Sequence, residues 1–188
     1  MENKQKISTK RIVLAALMAA LTVVGSGLRI KLPSPVLGTN AFHLGNIFCA
    51  LSGILLGPGL GGLAAGLGSA IYDMFDPMYI SECWLTFLMK GAYGLVVGLV
   101  VWFGKKHDGY VKATVATTCG AVTYAILYLA KNYLKGILVK GWTSAASALA
   151  LVEKVPPTVF NAIVAILFAP MLAASIRKAL ARNHLTLN

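Results

Sequence analysis

The sequence predicts an all-α integral membrane protein, a single domain (1–188) built as a bundle of six transmembrane helices with the N- and C-termini in the cytoplasm. Three observations carry this. Hydrophobic residues make up 57% of the chain and charged residues only 12%, with mean hydropathy +0.75. A soluble domain needs about 25% charged residues to cover its surface. Apolar runs of near-spanning length recur near 12–28, 42–57, 59–75, 81–103, 113–134 and 156–176. The basic residues between those runs are distributed unevenly, which orients a membrane chain.

The first run follows Lys10-Arg11 and closes on Gly25-Ser26-Gly27, as a signal peptide does. Five further runs favour a retained helix. Within it, "LAALMAAL" sets Ala15 against Ala19 and Ala16 against Ala20, each four residues apart, giving a flat alanine face. Spacing alone leaves two readings open, a contact within the bundle or a docking face for another membrane protein.

The second and third runs are joined only by Gly57-Pro58-Gly59, so they form a tight helical hairpin. Between Gly45 and Gly68 the chain carries eight glycines. In water each costs a helix about 1 kcal/mol relative to alanine. In lipid, small residues let helix backbones approach closely, and that packing drives association. Gly62, Gly66, Ser69 and Asp73 form one such stripe, ending in a carboxylate near the outer surface. His43 and Asn46 open the second run, and Asp73 and Asp76 close the third.

The fourth run places Glu82, Thr86, Lys90, Gly94 and Gly98 on one line, four residues apart. Lys90 falls about 13 Å into the bilayer at 1.5 Å per residue. A lysine at that depth is costly and faces the bundle interior or a wet cavity, either as part of a buried ion pair or as a ligand-contacting group. The fifth run carries Tyr124, Tyr128, Lys131, Asn132 and Lys135. Interfacial anchoring accounts for lysines near a span end, so Asn132 is the better candidate, since a buried amide needs partners. Residues 136–155 read as an outer loop or short surface helix. The last run opens with Pro156-Pro157, which a first helical turn tolerates, flanked by Lys154 and Asn161.

With the N-terminus inside, Lys4, Lys6, Lys10, Arg11, Lys105, Lys106, Lys112, Arg177, Lys178 and Arg182 lie on the inner side. Arg29, Lys31, Lys131, Lys135 and Lys140 lie outside, a bias of ten to five. The net charge of +11 therefore reflects topology and contact with anionic lipid. No basic, aromatic-interleaved face points to nucleic acid. Cys49, Cys83 and Cys119 are isolated within apolar runs and read as buried filler without disulfide or metal spacing.

Polar residues thus converge on the outer third of the bundle and do not continue to the inner side, as a channel or proton relay requires. The pattern fits capture of a small polar molecule from outside. No GxSxG, HExxH or P-loop occurs, and His107 and His184 fall in cytoplasmic segments, so no enzyme is predicted.

The run "HLGNIFCALSGILLGPGLGGLAAGLGSAIYDMF" resembles the second and third helices of the substrate-binding S components of energy-coupling factor (ECF) transporters. "TFLMKGAYGLVVGL" is similar to their fourth helix and "VPPTVFNAIVAILFAPMLAASIRKAL" to their last. "LAALMAAL" is similar to the alanine helix that docks on the coupling subunit. The resemblance implies a multi-pass protein of the bacterial plasma membrane, binding a small water-soluble vitamin or vitamin precursor. Its partners would be a transmembrane coupling subunit and two ATPase subunits, which alone use ATP. No covalently bound cofactor or metal is implied. Substrate would be released by toppling within the membrane, with Ala15, Ala16, Ala19 and Ala20 as the docking face. By position in that fold, the first outer loop (29–40), the outer parts of helices four and five and the start of helix six form the pocket. Asn40 and Trp84 thereby join His43, Asn46, Asp73, Glu82, Thr86, Lys90, Tyr128, Asn132, Lys154 and Asn161 as candidate substrate-binding residues. The alternative is a stand-alone secondary transporter, which usually shows two related halves; none is visible here.

Overall fold

The computed structural model describes residues 8–34, 38–103 and 109–182. Lys4, Lys6, Lys105, Lys106, His107 and His184, placed above on the cytoplasmic side, lie outside them. Helix α1 (Thr9–Gly27) leads into a two-stranded antiparallel hairpin, β1 (Arg29–Ser34) and β2 (Gly38–His43). Then come α2 (Gly45–Leu56), α3 (Pro58–Met74), a 3-10 turn (Ile80–Glu82) and α4 (Cys83–Trp102). Helices α5 (Tyr110–Leu138), α6 (Ser144–Leu151) and α7 (Val155–Arg182) complete the chain.

Among the described residues, four stretches are long and apolar enough to cross a membrane: Thr9–Gly27, Ile80–Trp102, Tyr110–Leu138 and Val155–Arg182. Helices α2 and α3 have 12 and 17 residues, short of the roughly 20 that a bilayer core requires. Their place in the bundle explains the brevity. Every residue of α2 except Phe48 is buried, so this helix runs through the protein interior rather than along lipid.

The glycines permit that arrangement. Gly57, at φ +81°, turns the chain between α2 and α3 in a conformation that side chains rarely adopt, and Pro58 starts the next helix. A methyl group on Gly94 would lie 2.8 Å from the Gly61 carbonyl oxygen and 2.9 Å from the Ala65 Cβ. One on Gly66 would lie 2.8 Å from the Phe87 carbonyl. The expected stripe of Gly62, Gly66, Ser69 and Asp73 is buried throughout.

The Gly57 end of the bundle is basic. The Arg11 guanidinium donates to the Leu56 carbonyl at 2.7 Å, and that of Arg177 donates to the Ile54 carbonyl at 3.0 Å. Both satisfy carbonyls that the C-terminus of α2 leaves unpaired, and their charge complements its dipole. The start of α1 and the far part of α7 therefore share one end of the molecule. Above it the core is Leu51, Ile54, Val97, Val101, Ala116, Ala169 and Ala173. The buried Ser52 and Thr117 hydroxyls turn back to carbonyls of their own helices.

Two local expectations change and one open alternative is decided. The hairpin occupies residues read as an outer loop and as the start of the second run; His43 is paired with Arg29 in the sheet, so α2 begins only at Gly45. The segment 136–155, left open between a loop and a short surface helix, contains the short helix α6, whose Thr143 side chain accepts the Ala146 N–H at 3.3 Å. Of the cysteines only Cys49 is buried; Cys83 is half-buried and Cys119 exposed, because the lipid-facing side of an apolar helix is also apolar.

Candidate functional site

A cavity of about 310 Å³ lies at the end of the bundle opposite the Gly57 turn. The hairpin, α3, α4, α5 and the first turns of α7 enclose it. At its floor is Lys90, 4% exposed, whose ammonium donates to Asn46 Oδ1 and sits 4.0 Å from the centre of the Tyr124 ring. The four-residue spacing along α4 sets Thr86 and Glu82 above Lys90 on the same wall. The facing wall is aromatic. Tyr93, Tyr124 and Tyr128 stack along one line, with centroids 6.1 and 5.8 Å apart and planes within 27°. Tyr124 and Tyr128 reach the cavity, whereas Tyr93 is fully buried.

Charge pairs order the rim. Lys131 meets Glu82 at 2.7 Å, and Lys135 takes the other oxygen of the same carboxylate. The Arg29 guanidinium lies 3.9 Å from Asp73, 3.7 Å from Asp76 and 3.9 Å from the centre of the Tyr72 ring. Lys31 completes this cluster at 2.6 Å from Asp76. Burial works to raise the Asp76 carboxyl, but the Lys31 hydrogen bond, the Met78 N–H and the Lys31 and Arg29 charges outweigh it. Its pKa therefore lies below the ordinary carboxylate value.

On the opposite side α7 holds the second strand. Asn161 accepts the His43 backbone N–H and donates to the Ala41 carbonyl, both at 3.0 Å. Lys154 donates to the Thr39 carbonyl at 3.1 Å and to Asn40 Oδ1 at 2.9 Å. Phe42 packs edge-on against Phe160, 5.2 Å between centroids. Burial, and then the Lys131, Lys135 and Lys140 charges against the pull of Glu153, bring Lys154 down to about 8. Burial first, then the charges of Lys90 and Arg29, hold His43 well below the usual imidazole value. Its Nδ1 accepts the Gly45 N–H at 3.1 Å, so the neutral ring carries its proton on Nε2.

Of the residues singled out from the sequence, His43, Asp73, Glu82, Thr86, Lys90, Tyr128, Asn132 and Asn161 line this one cavity. Asn46 lies beneath it as the partner of Lys90, and Asn40 and Lys154 join each other behind the hairpin. Trp84, 60% exposed, is on the outer surface away from it. Arg29, Tyr79 and Tyr124 line the cavity without having been chosen as site residues, as do Lys131 and Lys135, which had been weak candidates because anchoring accounts for such lysines. One signal was available: two cations two residues apart, Arg29 and Lys31, match two carboxylates three apart, Asp73 and Asp76. The alanine face divides. Ala15 and Ala19 are half-buried against the core of the same chain, and Ala16 and Ala20 are exposed. Among the described residues no three His, Cys, Asp or Glu side chains gather as a metal set.

The site combines a floor ammonium, an aromatic wall and a polar rim, over a core that offers no polar continuation. Such a pocket has the size and the mixed polar and aromatic lining that suit a small polar molecule.

Comparison with known proteins places the chain in a family. A protein of Pyrococcus woesei, described as an uncharacterized protein in a gap 3′ region, is 31% identical over 115 residues, covering 61% of this chain and 72% of the relative. A UPF0397 protein of Streptococcus agalactiae is 32% identical over 97 residues, 52% of this chain and 50% of its own length. One from Streptococcus gordonii is 36% identical over 91 residues, 48% and 46%. The chain thus spans about half the length of the UPF0397 relatives it matches. Residues 6–178 match the family described as ECF-type riboflavin transporter, S component. With a match over nearly its whole length and a multi-pass helical architecture, the chain belongs to this family of substrate-specific transporter subunits.

Proposed function

We propose that this chain captures a small water-soluble vitamin or vitamin precursor in the cavity beneath the β-hairpin and passes it inward with ATP-driven partner subunits. The cavity would face outward, with six membrane-embedded helices and both chain ends in the cytoplasm. The observation that carries the reading is the blind end of the cavity. Beneath Lys90 and Asn46 the interior closes into a packed, mainly apolar core, which fits passage of the ligand by movement of the subunit against a partner. The ten-to-five bias in Lys and Arg supports the orientation, as does the gathering of Arg11 and Arg177 at the end opposite the cavity.

The partners in this reading are a transmembrane coupling subunit and two ATPases. Ala16 and Ala20, with Leu17 at 52% exposure, offer the free part of the alanine face to the coupling subunit. Riboflavin, named in the description of the family, is the first compound to test. The decisive experiment measures uptake in cells that express this chain with and without an ECF coupling subunit and its ATPases. Uptake should require all of them. Replacing Ala16 and Ala20 with Leu should abolish uptake and complex formation while ligand binding by the isolated subunit persists. Accumulation of substrate by this chain alone would overturn the proposal.

A further inference from the structure

We propose that the compound taken by this cavity is an anion, its negative group received by Lys90. This rests on the reading of the cavity as the substrate site and adds the chemical class of the substrate.

The argument is a charge census. Five cationic side chains line the cavity (Arg29, Lys90, Lys131, Lys135, Lys140) against two carboxylates, Asp73 and Glu82. Both carboxylates are already matched. Glu82 takes Lys131 and Lys135 together, and Asp73 lies with Arg29. Lys90 is different. It is 4% exposed, and among the described residues no carboxylate comes within ion-pair distance of its ammonium. Its contacts are one neutral amide oxygen, on Asn46, and the face of Tyr124. An ammonium has three N–H donors. A buried charge without a counter-charge is strongly unfavourable, and excluding water from the cavity makes it more so.

The Asp73 charge acts on Lys90 only from beyond ion-pair distance and is shared with Arg29, so a neutral ligand would displace water and leave the ammonium without a direct counter-ion. An anionic ligand supplies the missing counter-ion where the low dielectric makes the bond strongest. The neighbouring donor agrees: the neutral His43, with its proton on Nε2, adds an N–H to the same cavity.

The test uses the full-length chain in detergent and three ring-matched pairs: nicotinamide and nicotinate, pyridoxine and pyridoxine phosphate, riboflavin and riboflavin phosphate. For whichever ring binds, calorimetric titration should find the anionic member tighter by roughly 10- to 150-fold, the equivalent of one charge-assisted hydrogen bond. Lys90→Met should erase that preference and Lys90→Arg should keep it. A neutral member binding as tightly as its anionic partner overturns the inference while leaving the capture role intact. So does a Lys90→Met protein that retains the preference. If Lys90→Met does not fold, the ratio in the unaltered protein decides alone. If no member binds and no small molecule is released when the protein is denatured, the reading of the cavity falls as well.

Discussion

Asn161→Ala removes a clamp that joins the hairpin to α7 without touching the charged clusters. In the intact protein its side chain accepts one backbone hydrogen bond, from His43, and donates another, to Ala41, both at 3.0 Å. Each such bond contributes about 1 kcal/mol net. Losing both should favour opening of β2 by about 2 kcal/mol, or roughly 30-fold in the opening equilibrium. The remaining anchors, Lys154 on Thr39 and Asn40 and the Phe42–Phe160 contact, prevent full detachment. Hydrogen–deuterium exchange read by mass spectrometry reports such local opening directly and needs no ligand. The amides of residues 38–43 should exchange about 30-fold faster in the variant, while those of α4 and α5 keep their rates. Unchanged exchange in the hairpin would refute the clamp; a uniform rise across all helices would show a loss of global stability instead. If closure retains the ligand, the variant should also release it faster, with little change in association.

Three further outcomes follow from the same structure. Gly94→Ala should lower the thermal midpoint by several degrees, since overpacking against the Gly61 carbonyl costs about 1–3 kcal/mol, whereas Gly59→Ala, with nothing within 4 Å, should be neutral or stabilising; equal effects would dismiss close packing as the reason for the glycines. The Asp76 cluster should stabilise the protein fully above the ordinary carboxylate pKa of 3.8 and lose that contribution as pH falls through it and below, so midpoints of the parent and Asp76→Asn should converge on acidification; parallel curves would remove Asp76 from the clamp. In a background lacking Cys49, Cys83 and Cys119, Lys140→Cys should react with an impermeant thiol reagent in intact cells and Lys178→Cys only after permeabilisation; the reverse pattern would invert the orientation.

Much of the fold was legible because it depends on properties read along the chain. The apolar runs became α1 to α5 and α7 with ends shifted by a few residues, and the Gly57-Pro58 turn and the proline start at 156–157 stand where their backbone preferences require them. The inward stripes of α3 and α4 followed from helical spacing, and with them Asp73, Thr86 and Lys90. The hairpin was not legible. In β1 the alternation of Arg29, Ile30, Lys31 and Leu32 is real, but the charged pair turns toward Asp73 and Asp76 while Ile30 and Leu32 are 67% and 49% exposed. Such an inverted strand makes sense only beside buried carboxylates that belong to another segment.

What the sequence by itself determined is the solvent of the protein and the helices that solvent demands. Composition and periodicity report how each segment meets lipid, and a helix satisfies its backbone within one segment. Tertiary structure alone decided which polar groups meet. The partners of Lys90 and Arg11 lie 44 and 45 residues away, and Asn161 reaches Ala41 across 120. No local preference encodes such a pairing. It arises when close-packed glycine helices bring separate stripes to one end of the bundle, and that convergence makes a cavity where the chain shows only scattered polar residues.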